Sequence, residues 1–229
     1  MIKLPKFDNQ SMYDYETYFN LTMNDERLGK FLAHYEAMKI AENIPGEIVE
    51  CGVFKGTSFA RFAIMRRVMG GEKSAKIFGF DVFSDTYPNT KYKEDKIQRD
   101  YWIKSTGGKS IGEKQLSKLL KKKKIGNFSL IAGDANKTIP KFINKNPGFK
   151  IALLNIDIDF VEPTLTVLNN FYDCVTRGGV ILLDNYAGKG NSGKYLHGDT
   201  KAIDDFFKKK SIIIKRFSFA ARPCYIIKK

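Results

Sequence analysis

Two short acidic segments, Asp157-Ile-Asp159 and Asp184-Asn185-Tyr186, combine residue types and placement that suggest chemistry. Each ends an apolar run, Ile151-Ala-Leu-Leu-Asn-Ile and Val180-Ile-Leu-Leu, of the kind that forms a parallel strand buried on both faces. Neighbouring parallel strands joined by one helix deliver both tips to the carboxyl edge of the sheet, where open α/β sheets keep their ligands. Two carboxylates and an amide oxygen crowded there repel one another unless a cation stands among them. Oxygen donors without His or Cys suit Mg, Ca or Mn, and an incomplete shell leaves room for substrate oxygens. Asp157, Asp184 and Asn185 are therefore candidate metal ligands. Any one of them alone reads more simply as a helix cap or loop end; the set at two adjacent tips reads as a cation site.

The elements that would position these tips follow from the pattern around them. Pro163 opens a crossover helix, apolar at Leu165, Leu168 and Phe171, and Arg177-Gly178-Gly179 closes it. Upstream, Ile48 to Cys51 reads as a first strand, followed by a turn with Gly52 and Gly56 and a helix opening at Thr57-Ser58. Free amides in such a turn suit a carboxylate or phosphate. The G-x-x-x-G spacing does not match a dinucleotide fingerprint, and Glu50 just before it suits an ammonium group better than a pyrophosphate. Asp81 ends a second strand, where an acid can receive two ribose hydroxyls, and Asp134 ends a third.

Between the second and third strands the pattern loosens over residues 84–127, which contain the single Trp, Trp102, and an amphipathic helix from Ile111 to Lys124. An insertion this long reads as a lid or, for Trp102, a satellite apolar cluster. Ser211 to Phe217 and Cys224 to Ile227 pair as a closing hairpin. The expected fold is α/β: a Rossmann-like, seven-stranded, mostly parallel sheet with helices on both faces and a C-terminal antiparallel hairpin. Residues 1–46 form an arm and a helix with Leu28, Phe31, Leu32, Tyr35, Met38 and Ile40 inward, and residues 47–229 form the main domain. His34 in that helix reads as a partly exposed residue with no role. The aromatics Phe7, Tyr13, Tyr15, Tyr18 and Phe19 place the arm over the core or a neighbouring subunit.

Bulk properties narrow the class. With 229 residues, 43% of them hydrophobic, one full core is affordable, and no run approaches a membrane span. The N-terminus lacks the apolar core of a signal peptide, so a cytoplasmic protein is expected. Cys51, Cys174 and Cys224 make neither a disulfide framework nor a zinc site. The net charge of +14 is mostly lysine, clustered at Lys121 to Lys124 and Lys208 to Lys210 as solvated helix ends. Arg and aromatics are not interleaved with it as nucleic-acid binding requires.

The chain resembles the class I S-adenosylmethionine-dependent methyltransferases in its acid-x-Gly-x-x-x-Gly first turn, the acid ending strand two and the final hairpin. More narrowly it resembles the macrocin O-methyltransferase family, which methylates sugar hydroxyls. The likeness rests on Thr22-Met23, Pro45-Gly46-Glu47-Ile-Val-Glu-Cys-Gly-Val-Phe-Lys-Gly56, Asp157-Ile-Asp159-Phe-Val-Glu-Pro-Thr164 and Gly178-Gly-Val-Ile-Leu-Leu-Asp184-Asn-Tyr186. The resemblance implies that Glu50, Gly52, Val53, Phe54, Gly56, Thr57 and Ser58 hold the methionine end of S-adenosylmethionine, with Asp157 bordering the same pocket. It places Asp81 at the ribose and Asp134 with Ala135 near the adenine. It further implies Mg2+ (or Mn2+) on Asp157, Asp184 and Asn185, and Asp159 as general base, with His197 in the following glycine-rich loop as the competing base. The family usually shows Asp-Asp where this chain has Asp184-Asn185, and Arg where it has Lys55. The implied substrate is a sugar hydroxyl of a nucleotide-linked deoxysugar, a glycosylated natural product or a surface-polysaccharide precursor, and a homo-oligomer is expected. The alternatives are a catechol-type methyltransferase acting on an aromatic diol, and a basic RNA-binding or RNA-modifying protein on the same fold.

Overall fold

The computed structural model describes residues 2–3, 5–6, 8–70, 75–88, 90–187 and 197–229, apart from the side chains of residues 94, 105 and 197. Its strands are β1 (Glu47–Cys51), β2 (Ile77–Asp81), β3 (Phe128–Ala132), β4 (Ile151–Ile156), β5 (Val175–Leu183), β6 (Lys215–Arg216) and β7 (Cys224–Ile227). They form one sheet in the order β3-β2-β1-β4-β5-β7-β6. The first five run parallel, and β7 lies antiparallel between β5 and β6. The expected seven-stranded architecture is thus present, with a shorter last hairpin: most of the 211–217 segment is irregular, and only Lys215 and Arg216 pair with β7.

The helices are α1 (Asn9–Thr22), α2 (Asp25–Ala41), α3 (Thr57–Val68), α4 (Lys93–Thr106), α5 (Glu113–Lys122), α6 (Ala135–Lys145), α7 (Val161–Phe171) and α8 (His197–Phe207). Consecutive strand residues point to opposite faces, so Leu153, Val180 and Leu182 pack with α2, α3 and α5 residues such as Ala37, Phe59 and Leu116. Leu154, Ile181 and Leu183 pack on the other face with Ile139, Val167 and Ile203 of α6, α7 and α8. Central strands covered on both sides explain the unbroken apolar runs, and β4 is buried along its whole length.

Two local expectations change. The crossover helix α7 starts at Val161 rather than Pro163 and ends in a 3-10 turn, Tyr172–Cys174. Arg177-Gly178-Gly179 lies inside β5, where the pairing with β4 slips register. Gly178 adopts φ +85°, and a Cβ on Gly179 would come 2.8 Å from Thr176 O, so the glycines make a bulge rather than a helix stop. In α2 the buried residues are Gly29, Ala33, His34, Ala37, Met38 and Ala41. Leu28, Phe31, Leu32 and Tyr35, expected inward, are 37–40% exposed. A Cβ on Gly29 would lie 3.2 Å from Phe219 O, so α2 sits too close to its neighbours for large side chains on the inner face.

Candidate active site

The carboxyl ends of β1, β4 and β5 meet. Asp157 N donates to Cys51 O (2.8 Å) and Asp184 N donates to Ile156 O (3.0 Å), which sets the first turn beside both acidic tips. Gly52, at φ +92°, has room for no side chain, since a Cβ there would fall 1.9 Å from Asp157 O. Gly198 does the same for α8: its Cβ would meet Asp159 O at 2.2 Å. Asp159 itself holds φ +71°, a left-handed conformation uncommon for a residue with a Cβ, which is kept in place by this packing.

Asp157, Asp184 and Asn185 converge, as their place at neighbouring strand tips requires, and a cation does stand among them. It is an ammonium group. Lys30 Nζ donates to Asp184 Oδ2 at 2.7 Å and to Asp157 Oδ2 at 3.0 Å. One helical turn on, His34 is fully buried, stacked on Phe62, with Nε2 4.0 Å from Asp184 Oδ1. Arg61 Nη1 lies 3.4 Å from His34 Nδ1. A guanidinium can only donate, so Nδ1 accepts and Nε2 carries the proton, aimed toward the aspartate. Burial, with Lys30 and Arg61 nearby, holds His34 well below its usual range, as a neutral ring.

Asn185 sits at the centre of the remaining contacts. Its Oδ1 accepts from Arg222 Nη1 at 2.6 Å, and Arg222 Nε also pairs with Glu26. Its amide nitrogen donates to Asp157 Oδ1 (3.2 Å) and to Asp159, with Asp199 Oδ2 at 3.4 Å. The guanidinium on one side and carboxylates on the other leave no ambiguity about which end of the amide is which. The donor set therefore does not fit a divalent ion as arranged: both aspartates are engaged by Lys30, and the amide oxygen is turned to Arg222.

Crowding shifts the acids. Burial, then Asp157 and Asp184, push Asp159 up to about 7. Burial and Asp157 also raise Asp184, to about 6, while at Asp157 burial is outweighed by Lys30, Asp184 and Arg222 together, which keep it low. Asp199, 1% exposed and bonded to Thr164 Oγ1 at 3.0 Å, is driven well above the usual carboxylate range by burial and by Asp159.

On the first-turn side, Glu50 is fully buried. Asn155 Nδ2 donates to its Oε1 at 3.0 Å, whereas Oε2 has no hydrogen-bond partner among the described residues. Burial pushes Glu50 up to about 8, with Ser58 and Asn155 opposing. An ammonium beside Oε2 would satisfy that oxygen, so the site fits the methionine end of S-adenosylmethionine. Val53 N and Phe54 N, expected to be free, donate to Asp81 Oδ2 at 2.6 and 2.8 Å, and Phe83 N donates to Oδ1 at 3.0 Å. Asp81 thus shapes the turn through both acceptor positions of Oδ2, while Oδ1, which accepts one bond, keeps a lone pair for a ribose hydroxyl. Gly56 (φ +81°) is the N-cap of α3, whose first residues are Thr57, exposed, and Ser58, buried. Asp134 caps α6 through Asn136 N, with Ala135 the first helical residue, and Gly133 N donates to Asp81 O at 2.8 Å, which joins this tip to the others. Trp102 from the insertion packs against Phe54 (4.3 Å between centroids) and Tyr87 (5.1 Å), over the first turn.

Lys30, His34, Asp199 and Arg222 escaped the sequence reading, and His34 is a correction to it. The available signal was the i, i+4 pair Lys30/His34 interrupting an inner face of Gly and Ala. His197 begins α8, but its side chain lies outside the described residues, so the choice of Asp159 over it rests on Asp159 alone.

A family model for macrocin O-methyltransferases, TylF, matches residues 10–213. Among solved structures, the calicheamicin methyltransferase CalS11 superposes with a TM-score of 0.72 at 20% identity, over 94% of this chain and 85% of that one. The O-methyltransferase NovP gives 0.71 at 19% identity, over 89% and 80%. Apo CalS11, described as a TDP-rhamnose 3'-O-methyltransferase, gives 0.65 at 19% identity, over 96% and 87%. No curated protein sequence matches the chain.

Proposed function

The chain belongs to the macrocin O-methyltransferase family, and from that premise we propose that it transfers a methyl group from S-adenosylmethionine to a hydroxyl of a sugar, free, nucleotide-linked or part of a larger glycoside. The observation that supports this most directly is that the first turn and the Asp157–Asp159 tip share an edge, through the Asp157 N to Cys51 O hydrogen bond of 2.8 Å. A methyl donor seated by Glu50 therefore lies next to the cluster of acids. The cofactor supplies an electrophilic methyl on a sulfonium, which leaves as a thioether.

The chain's own residues have four tasks. Glu50 Oε2 takes the ammonium, and Asp81 takes the ribose. Asp159, raised toward neutrality, accepts the hydroxyl proton as the new C–O bond forms and the S–C bond breaks. Asn185 donates to Asp159 and fixes its orientation. In this reading the working unit is a homo-oligomer, because none of α1's residues is buried among the described residues.

The test is transfer of labelled methyl from S-adenosylmethionine to a panel of nucleotide sugars and free glycosides. Labelled product with one sugar class supports the reading. Cofactor binding with no transfer to any sugar, together with transfer to an aromatic diol, overturns it.

A further inference from the structure

We infer that Lys30 is the resident cation of this site, and that the Asp157/Asp184 pair of this chain works without a divalent metal. The inference rests on the proposed reading of the site but is scored on the protein alone. Lys30 Nζ lies between the two carboxylates, 3.0 and 2.7 Å from their oxygens, the separation of charge-assisted hydrogen bonds. Its side chain is 16% exposed and that of Asp184 2%, so this is not a surface ion pair that solvent would loosen.

The helix that carries Lys30 is fixed at several points. Gly29 fits closely against Phe219 and Ala220, Ala33 and Ala37 are fully buried, and His34 is stacked on Phe62 beside Asp184. Residue 185 matches this arrangement. As an amide it accepts from Arg222 and donates to Asp157 and Asp159; a carboxylate there would accept from Arg222 but repel both aspartates. A hard dication would have to lift Lys30 off two carboxylates and turn Asn185 away from Arg222. It would then sit near an ammonium and a guanidinium, each stripped of its partner. An ammonium has three N–H donors and Lys30 spends two here, which leaves one for the oxygen of a substrate hydroxyl as it loses its proton.

The experiment titrates Mn2+ alone into the full-length protein, read by electron paramagnetic resonance, for wild type, Lys30→Met and Lys30→Arg. S-adenosylmethionine binding is measured in parallel, with and without EDTA. Wild type and Lys30→Arg are expected to show no Mn2+ uptake at 1 mM, and EDTA should leave cofactor affinity unchanged. Lys30→Met, with two carboxylates freed, should gain Mn2+ affinity by at least about tenfold. Wild-type uptake of Mn2+ at tens of micromolar overturns the inference, as does a folded Lys30→Met that gains none. If Lys30→Met does not fold, the wild-type titration decides. Failure to bind S-adenosylmethionine would instead sink the functional reading and leave the Mn2+ result standing.

Discussion

Asp159 combines a strained backbone, a hydrogen bond from Asn185 and a protonation equilibrium moved by its neighbours. With its carboxyl pushed up to about 7, first by burial and then by Asp157 and Asp184, the base is active only when unprotonated. The rate of methyl transfer should therefore rise with pH through about 7 and level off above it. Asp159→Asn should lower kcat by roughly 10²–10⁴-fold while cofactor affinity stays within about twofold. A flat pH profile together with an active Asp159→Asn would move the base elsewhere, with His197 next in line. Glu50 allows a test of sign. Its folded carboxyl sits near 8 against an ordinary value of 4.5, so the folded state holds a proton that the unfolded state loses first. Its contribution is intact below about 4.5 and falls as pH rises toward 8. Glu50→Gln keeps an acceptor for Asn155 and cannot ionise. The variant should be more stable than wild type at pH 8, on the order of 1–3 kcal/mol by denaturant melts, and should bind S-adenosylmethionine at least about tenfold more weakly. Wild-type binding at pH 7 should release a proton, visible by calorimetry in buffers of different ionisation enthalpy.

At the scale of elements, what the sequence made legible was what depends on strand period and strand ends. The runs before Asp157 and Asp184 are apolar at every position but Asn155, which donates to Glu50, because β4 and β5 are covered on both faces, and their tips converge because they are parallel neighbours. The inner face of α2 was misread because close approach to the sheet selects Gly29, Ala33 and Ala37, which carry little hydrophobic signal, while its larger apolar residues face outward. Lys30 and His34 share that quiet face, and the aspartates they meet lie more than a hundred residues away, a distance no periodicity reports. The insertion was recognisable by its length, but its anchor was not. Asp95 of α4 is fully buried and accepts Val161 N through both oxygens, at 2.9 and 3.0 Å, and Thr90 Oγ1 at 3.0 Å. This ties α4 to the first turn of α7, just after Asp159, where a negative charge is favoured by the helix dipole. Asp95→Asn should cost about 1–3 kcal/mol and speed amide exchange in residues 93–106 ahead of the sheet. It should also raise KM for the acceptor more than the Kd for the cofactor. Unchanged exchange in 93–106 would show that the insertion is held by other contacts.

At the scale of the whole molecule, α1 and the outer face of α2 pose a single problem. A helix of 14 residues is marginal in water unless an apolar face is covered, and no residue of α1 is buried among the described residues. Met12, Tyr13, Tyr18 and Leu21 are 53–78% exposed, and Leu28, Leu32 and Tyr35 of α2 continue the apolar surface at 38–40%. Asn9–Thr22 also contains Asp14 and Glu16 and no Lys or Arg, in a chain of net charge +14. An acidic, aromatic arm on a basic protein is complementary to the rest of its own kind, so a second copy is the occupant that both its apolar and its charged residues favour. Light scattering coupled to size exclusion should give a mass of at least two 26.1 kDa chains for wild type. The double variant Tyr18→Glu/Leu21→Glu should run as a monomer with an unchanged core by near-ultraviolet circular dichroism, since neither side chain is buried. Because α1 leads directly into α2, the helix that carries Lys30 to Asp157 and Asp184, assembly should also steady the site. The monomeric variant should then lose kcat by a larger factor than it loses cofactor affinity, and a wild-type mass of one chain at micromolar concentration would remove the role assigned to the arm.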